Sequence, residues 1–213
     1  MSKFKYVTKK EYQPVKQELI NLINLVQDEV REYFTFRYDF IGSASRNMIT
    51  IDEKSNIGYD FDINLRVNDD EENYTAQEIK EILINGFNKY NHLFKYDYCE
   101  DSKRVITIKV KDRTNSRILH SCDFAVVYDC DDGRQQYIHF NKTKQQYEWQ
   151  YQPNGFSKIK EKVEEIKKNG FWQKVRDLYI EKKNNNNNPN KKSRSIFAEV
   201  ISEVYMKYIE KDD

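Results

Sequence analysis

Asp60-Phe61-Asp62-Ile63-Asn64-Leu65-Arg66-Val67 alternates without a break between polar and apolar residues. A period of two is the signature of a β-strand with one buried and one open face. Phe61, Ile63, Leu65 and Val67 are therefore predicted to face a core, and Asp60, Asp62, Asn64 and Arg66 to face outward. Carboxylates two positions apart on a strand project to the same side. Alone, such a pair is the ordinary solvated face of an antiparallel sheet. Two flanking stretches change its meaning. Upstream, an aromatic strand from Phe36 to Ile41 runs straight into Gly42-Ser43, which reads as strand, turn, then helix. Downstream, Cys122-Asp123-Phe124-Ala125-Val126-Val127, within a strand reaching Tyr128, carries a third carboxylate that an adjacent strand could bring alongside the first two.

Around this centre the pattern is α+β. Val15, Leu19, Leu22, Val26, Val30 and Tyr33 recur in steps of three and four, which predicts a helix with Pro14 at its start. A second helix is expected over Ala76 to Leu93, a strand over Val105 to Val110, and a hairpin of Tyr137 to Phe140 with Gln146 to Tyr151. After Pro153 the periodicity turns wholly helical, with Ile159, Val163 and Ile166, then Phe171 to Ile180, then Ile196, Val200, Val204 and Tyr208. The expectation is a core over residues 1–152, built on a mixed, largely antiparallel sheet flanked by helices. A short helical lobe over 153–213 follows, interrupted by a flexible Asn-rich loop over 182–192.

Composition narrows the function. The 213 residues carry 36 Lys+Arg against 35 Asp+Glu, a net charge of +1, so no global field draws the chain to nucleic acid or membrane. A 14% aromatic content argues against disorder, and no apolar run reaches the roughly 18–20 residues of a membrane span. Three cysteines without a CxxC pair suit a reducing, cytoplasmic setting. Neither a P-loop nor a Gly-x-Gly-x-x-Gly fingerprint occurs. Asp129-x-Asp131-Asp132-Gly133 reads as a turn, because the twelfth position of a calcium loop would be Phe140 where Glu is needed. The basic stretch at Lys182-Lys183 and Lys191-Lys192-Ser193-Arg194 reads first as solvated, and Tyr59, Tyr147, Trp149 and Tyr151 read first as sheet residues before base-stacking platforms.

Three carboxylates held together need a cation, and oxygen-only ligation suits Mg²⁺ or Mn²⁺. Two such ions clamp the attacking and leaving oxygens of a phosphoryl displacement. A rival reading makes Asp123 a buried structural carboxylate paired with Arg117 or Arg104.

Gly42-Ser43, Asp60-Phe61-Asp62-Ile63-Asn64-Leu65 and Cys122-Asp123-Phe124-Ala125-Val126-Val127 resemble the signature of the DNA polymerase β-type nucleotidyltransferase superfamily. The similarity is nearest to its 2′-5′ oligoadenylate synthase, cyclic GMP-AMP synthase and bacterial cyclic-oligonucleotide synthase branch. Ser195-Ile196-Phe197-Ala198-Glu199 resembles a helix of that branch's helical half. The resemblance implies transfer of NMP from an NTP, ATP among them, to an unidentified hydroxyl acceptor with loss of pyrophosphate. It implies that Asp60 and Asp62 bind two metal ions and that Asp123 binds the catalytic one and helps deprotonate the acceptor. Gly42 and Ser43 would hold the β- and γ-phosphates, and Lys174, Arg176, Lys192 and Arg194 are candidates for the triphosphate tail.

Two departures accompany the resemblance. The sixteen residues from Ala44 to Tyr59 exceed the usual spacing, so Asn47 to Gly58 is expected to form an extended loop ended by Gly58. The helical part is also shorter than such synthases carry, which points to different acceptor recognition or to a protein partner or oligomer that completes the cleft. The alternative function is a catalytically silent nucleotide-binding or toxin–antitoxin module of the same fold.

Overall fold

The computed structural model describes residues 3–69, 72–153 and 157–210. In chain order the first elements are β1 (Phe4–Tyr6), α1 (Lys9–Val30), β2 (Thr35–Ile41), α2 (Gly42–Ser45), β3 (Thr50–Asp52), β4 (Tyr59–Asn68) and α3 (Ala76–Tyr90). A 3-10 turn over Asn91–Phe94 leads to β5 (Glu100–Asp101), β6 (Ile106–Asp112), β7 (Arg117–Asp129), β8 (Gln135–Asn141) and β9 (Gln146–Tyr151). Three helices follow: α4 (Ser157–Lys168), α5 (Trp172–Asn184) and α6 (Ser193–Tyr208). The chain forms two compact units. The sheet unit comprises residues 7–51 and 55–152, and the helical unit residues 1–6, 52–54 and 153–213.

The sheet unit holds a seven-stranded sheet in the order β2-β4-β7-β6-β5, with β8 pairing β7 and β9 pairing β8. Only β4 and β7 run parallel; the other pairs are antiparallel, giving the mixed, mostly antiparallel sheet that the alternation implies. Phe61, Ile63 and Leu65 of β4, Ile106 and Ile108 of β6, and Cys122 and Phe124 of β7 are fully buried. They share one cluster with Leu19, Leu22, Ile23 and Val26 of α1 and Ile79, Leu83 and Phe87 of α3, and Phe87 stacks on Phe124 at 4.3 Å. Burial of this apolar surface, worth roughly 25 cal/mol per Å², holds the helices to one face of the sheet. A side chain at Gly86 would press on Val26 and Val30, so glycine there lets α1 and α3 approach closely.

Both helices begin with a capping box, Thr8 with Glu11 and Thr75 with Glu78, in which side chains satisfy amides left open at the first turn. The Thr8 cap moves the start of α1 a turn and a half ahead of Pro14, which lies inside the helix, and Tyr33 falls in the turn after Val30. Pro14 is the sixth residue of α1, so its absent amide takes the usual helical donor from the Lys10 carbonyl, and the buried face from Leu19 to Val30 carries the helix past it.

In the helical unit, Val175 and Tyr179 of α5 and Ile196, Phe197, Val200, Ile201 and Val204 of α6 are buried, and Ile166 joins them from α4. The Asn-rich loop begins later than the composition suggests, because Lys182, Lys183 and Asn184 complete α5. Asn184 clamps the backbone of Phe4, accepting from its N–H at 2.6 Å and donating to its carbonyl at 3.1 Å. Lys183 is buried with its ammonium 4.0 Å from the Phe4 ring centre. These contacts favour helix over loop for residues whose composition alone says loop.

Candidate active site

Register decides which polar groups meet. In the parallel β4–β7 pair, Asp60 lies opposite Ser121 and Asp62 opposite Asp123, while Thr107 of β6 lies opposite Asp123 from the other side. Side chains at paired positions share a face. One row across the sheet therefore carries Ile41, Asp62, Asp123 and Thr107, and the next carries Asp60, Ser121 and Lys109. This face lies opposite the one that α1 and α3 cover.

The junction after β2 brings Gly42 onto the same spot, since Ile41 is the register partner of Asp62. Gly42 adopts φ +60, and a Cβ there would stand 2.3 Å from Asp62 Oδ2. Two independent constraints, a left-handed backbone and a carboxylate against the Cα, thus require glycine. The chain then makes the single turn α2, closed by the Met48 amide on the Ser43 carbonyl at 2.9 Å. Ile41 caps it without a side-chain acceptor, and the Ser43 hydroxyl has no hydrogen-bond partner among the described residues. Gly58 serves a different approach. A Cβ there would lie 1.9 Å from the Leu119 carbonyl oxygen, so its absence lets the entry to β4 lie against β7. The segment expected to be an extended loop, Asn47 to Gly58, contains β3 as well.

Each carboxylate has its own surroundings. Asp123 is half-buried and accepts from Thr107 Oγ1 at 2.5 Å. Asp60 is exposed and accepts from Ser121 Oγ. Asp62 is half-buried. Burial, reinforced by the charges of Asp123 and Asp60, pushes its pKa up to about 6, with Arg46 pulling the other way. Asp123 is raised in the same sense, by burial first and by Asp60, against the Thr107 hydrogen bond and the charge of Lys109. Repelling carboxylates packed on one sheet face are a poor arrangement for the bare protein and a suitable one for a hard divalent cation. Among the described residues no three His, Cys, Asp or Glu side chains close on one common position. Asp60 and Asp123 are instead drawn toward their separate hydroxyl donors. The donor set, all oxygen and mostly anionic, fits Mg²⁺ or Mn²⁺.

The rival pairing of Asp123 does not form. Arg117 binds Asp112 at 3.0 Å, and Arg104 lies over the Tyr137 ring at 5.3 Å. Asp129 of the acidic turn pairs with Arg66 at 2.8 Å. Tyr59 stacks on His120, Tyr147 and Trp149 pack against the core, and Tyr151 is exposed beneath the Arg134 guanidinium at 3.9 Å. All three cysteines are free.

Lys174, Arg176, Lys192 and Arg194 belong to the helical unit. Lys174, Lys192 and Arg194 are exposed. Arg176 lies 4.2 Å over the Tyr6 ring, and its carbonyl accepts from the Tyr6 hydroxyl at 2.7 Å, a packing role inside that unit. Glu199 is paired with Lys191 at 2.8 Å. The sequence reading missed Arg46, Thr107, Lys109 and Ser121. Thr107 and Lys109 occupy the polar positions of the alternating strand Ile106 to Val110, a signal for the face but not for the partner.

No family model matches the chain, and no curated protein matches it either. Solved structures do. A CdnE c-di-GMP synthase from Capnocytophaga granulosa, described as STING-associated, aligns with a TM-score of 0.60 at 14% identity over 96% of this chain and 63% of its own. Vibrio cholerae DncV bound to 3′-deoxy ATP gives 0.57 at 13% over 92% and 52%. Escherichia coli DncV bound to 3′-deoxy GTP gives 0.56 at 15% over 92% and 53%. The chain spans about half the length of the DncV structures it matches. Its fold is the nucleotidyltransferase fold that these synthases share. No helix among the described residues is long and apolar enough to cross a membrane.

Proposed function

We propose that the sheet unit is the catalytic part of a nucleotidyltransferase that moves NMP from an NTP to a hydroxyl acceptor and releases pyrophosphate. The observation that carries this reading is the register of Asp62 opposite Asp123 on the parallel pair, with Gly42 against Asp62. Supporting it is the fold shared with structures described as cyclic-nucleotide synthases or bound to nucleoside triphosphate analogues. The acceptor that best fits this likeness is the ribose hydroxyl of a second nucleotide.

Asp60, Asp62 and Asp123 would hold two Mg²⁺ or Mn²⁺ ions, which supply Lewis acidity at the reacting phosphate and the acceptor oxygen. The Ser43 hydroxyl and the amides after Gly42 donate to the β- and γ-phosphate oxygens. The acceptor oxygen forms a bond to the α-phosphorus as the α–β anhydride bond breaks. Pyrophosphate leaves, and the acceptor proton passes to an Asp123 carboxylate oxygen. Thr107 engages only Oδ1 of Asp123, which leaves its second oxygen to accept.

Incubation with labelled NTPs and Mg²⁺ tests the reading. Wild type is expected to release pyrophosphate and to form a nucleotidyl product, and Asp60→Ala and Asp62→Ala to form none. Equal turnover by all three would reject it, and so would nucleotide held by a folded wild type without turnover, the outcome of a silent binding module.

A further inference from the structure

Two of the three carboxylates are tethered in the same way. Thr107 stands opposite Asp123 and donates to its Oδ1 at 2.5 Å, and Ser121 stands opposite Asp60 and donates to its Oδ1. In each case the donor comes from the neighbouring strand at the register position itself, so sheet pairing fixes its place rather than a mobile loop. A hydroxyl needs only one acceptor for its proton, and a carboxylate has two oxygens with about four lone-pair directions. One O–H bond therefore fixes the carboxylate rotamer and leaves acceptor capacity for a cation. Asp62, between the two, has Gly42 against it.

From this arrangement we infer that Thr107 and Ser121 are positioning residues: their hydroxyls orient Asp123 and Asp60 as cation ligands. The inference rests on the reading of Asp60, Asp62 and Asp123 as the cation-binding set. Partners of this kind, one shell out from the metal, typically change metal affinity by 10–100-fold when removed. Thr107 is the stronger case, because Asp123 is half-buried and water replaces a lost donor less readily there than at exposed Asp60.

The test is Mn²⁺ binding by the full chain, followed by the electron paramagnetic resonance signal of free Mn²⁺, with thermal melting alongside. Thr107→Val keeps the β-branched shape and strand preference while removing the hydroxyl, and Thr107→Ser restores it. Wild type is expected to bind and Asp62→Ala to lose binding. Thr107→Val should bind about 10–100-fold more weakly at an unchanged melting temperature. Thr107→Ser should recover most of that loss, and Ser121→Ala should show a smaller one. Wild-type affinity in Thr107→Val, with binding still abolished in Asp62→Ala, would overturn the inference and leave the catalytic reading standing. Equal losses in Thr107→Val and Thr107→Ser would trace the effect to packing and overturn it too. No binding by wild type would sink both.

Discussion

Phe61 and Asp62 are neighbours in sequence, and β4 sends them to opposite sides of the sheet. Phe61 is fully buried with the rings of Tyr12, Phe40 and Tyr59 at 6.4, 5.9 and 5.8 Å, all edge-on. Asp62 meets Gly42, Asp123 and the field of Asp60. The first environment is non-directional, since several arrangements of apolar groups of the right volume would fill it. The second works only in one register, because a slip of one residue would turn every carboxylate of β4 into the core. Stability is concentrated on one face and the proposed chemistry on the other, and substitutions should separate them.

The largest separation is expected at the neighbours themselves. Asp62→Ala should lower nucleotidyl transfer by on the order of 10³-fold or more, several kcal/mol of lost charge stabilisation, with no loss in denaturant midpoint. Phe61→Ala should cost about 3–5 kcal/mol of stability, read by denaturant unfolding, while transfer per folded molecule survives. Parallel losses of both properties in both variants would break the comparison.

Next comes pH. In metal-free protein the Asp62 carboxyl is held at about 6 against an ordinary 3.8. The folded state then binds the proton more tightly than the unfolded chain, so the group's contribution is fully present below about pH 4 and is lost as pH rises through about 6. Wild type should lose roughly 1–3 kcal/mol relative to Asp62→Asn across that window. Chemical denaturation in a chelator, at several pH values, would reveal it. Parallel profiles for the two proteins would contradict the crowding of charge at Asp62.

Smaller effects sharpen the picture. Gly42→Ala must place a methyl group against Asp62 Oδ2 at φ +60, for about 1–2 kcal/mol of backbone strain. Its transfer rate should fall more than its stability, which paired activity and melting measurements would show. Arg66, further along the polar face, is ion-paired with Asp39 and Asp129 while itself partly exposed. Arg66→Ala should change stability by less than about 1 kcal/mol, a difference small enough to need denaturant midpoints in replicate.

Much of the fold was legible because its elements follow strict periods. The alternation in β4 identified both faces, and the steps of three and four identified the buried side of α1. The carboxylates and Gly42-Ser43 were legible as residue types with a known chemistry. What escaped was whatever depends on pairing between distant segments. The register that sets Thr107 and Ser121 beside Asp123 and Asp60 leaves no trace in local periodicity. The Thr8–Glu11 capping box was a local signal passed over in favour of Pro14, whereas the clamp of Asn184 on Phe4 joins the two ends of the chain and leaves no local trace. Gly58 was legible as punctuation, but its close approach to Leu119 belongs to the tertiary fold.

Whether the polar face of β4 and β7 gathers cations and nucleotide is tested most directly by a crystal structure with a non-hydrolysable NTP and Mg²⁺. The expected result is Asp60, Asp62 and Asp123 drawn onto Mg²⁺ at about 2.0–2.1 Å, with the triphosphate against Gly42 and Ser43. Nucleotide bound elsewhere, or metal on other ligands while these three carboxylates keep to their hydroxyl partners, would contradict it.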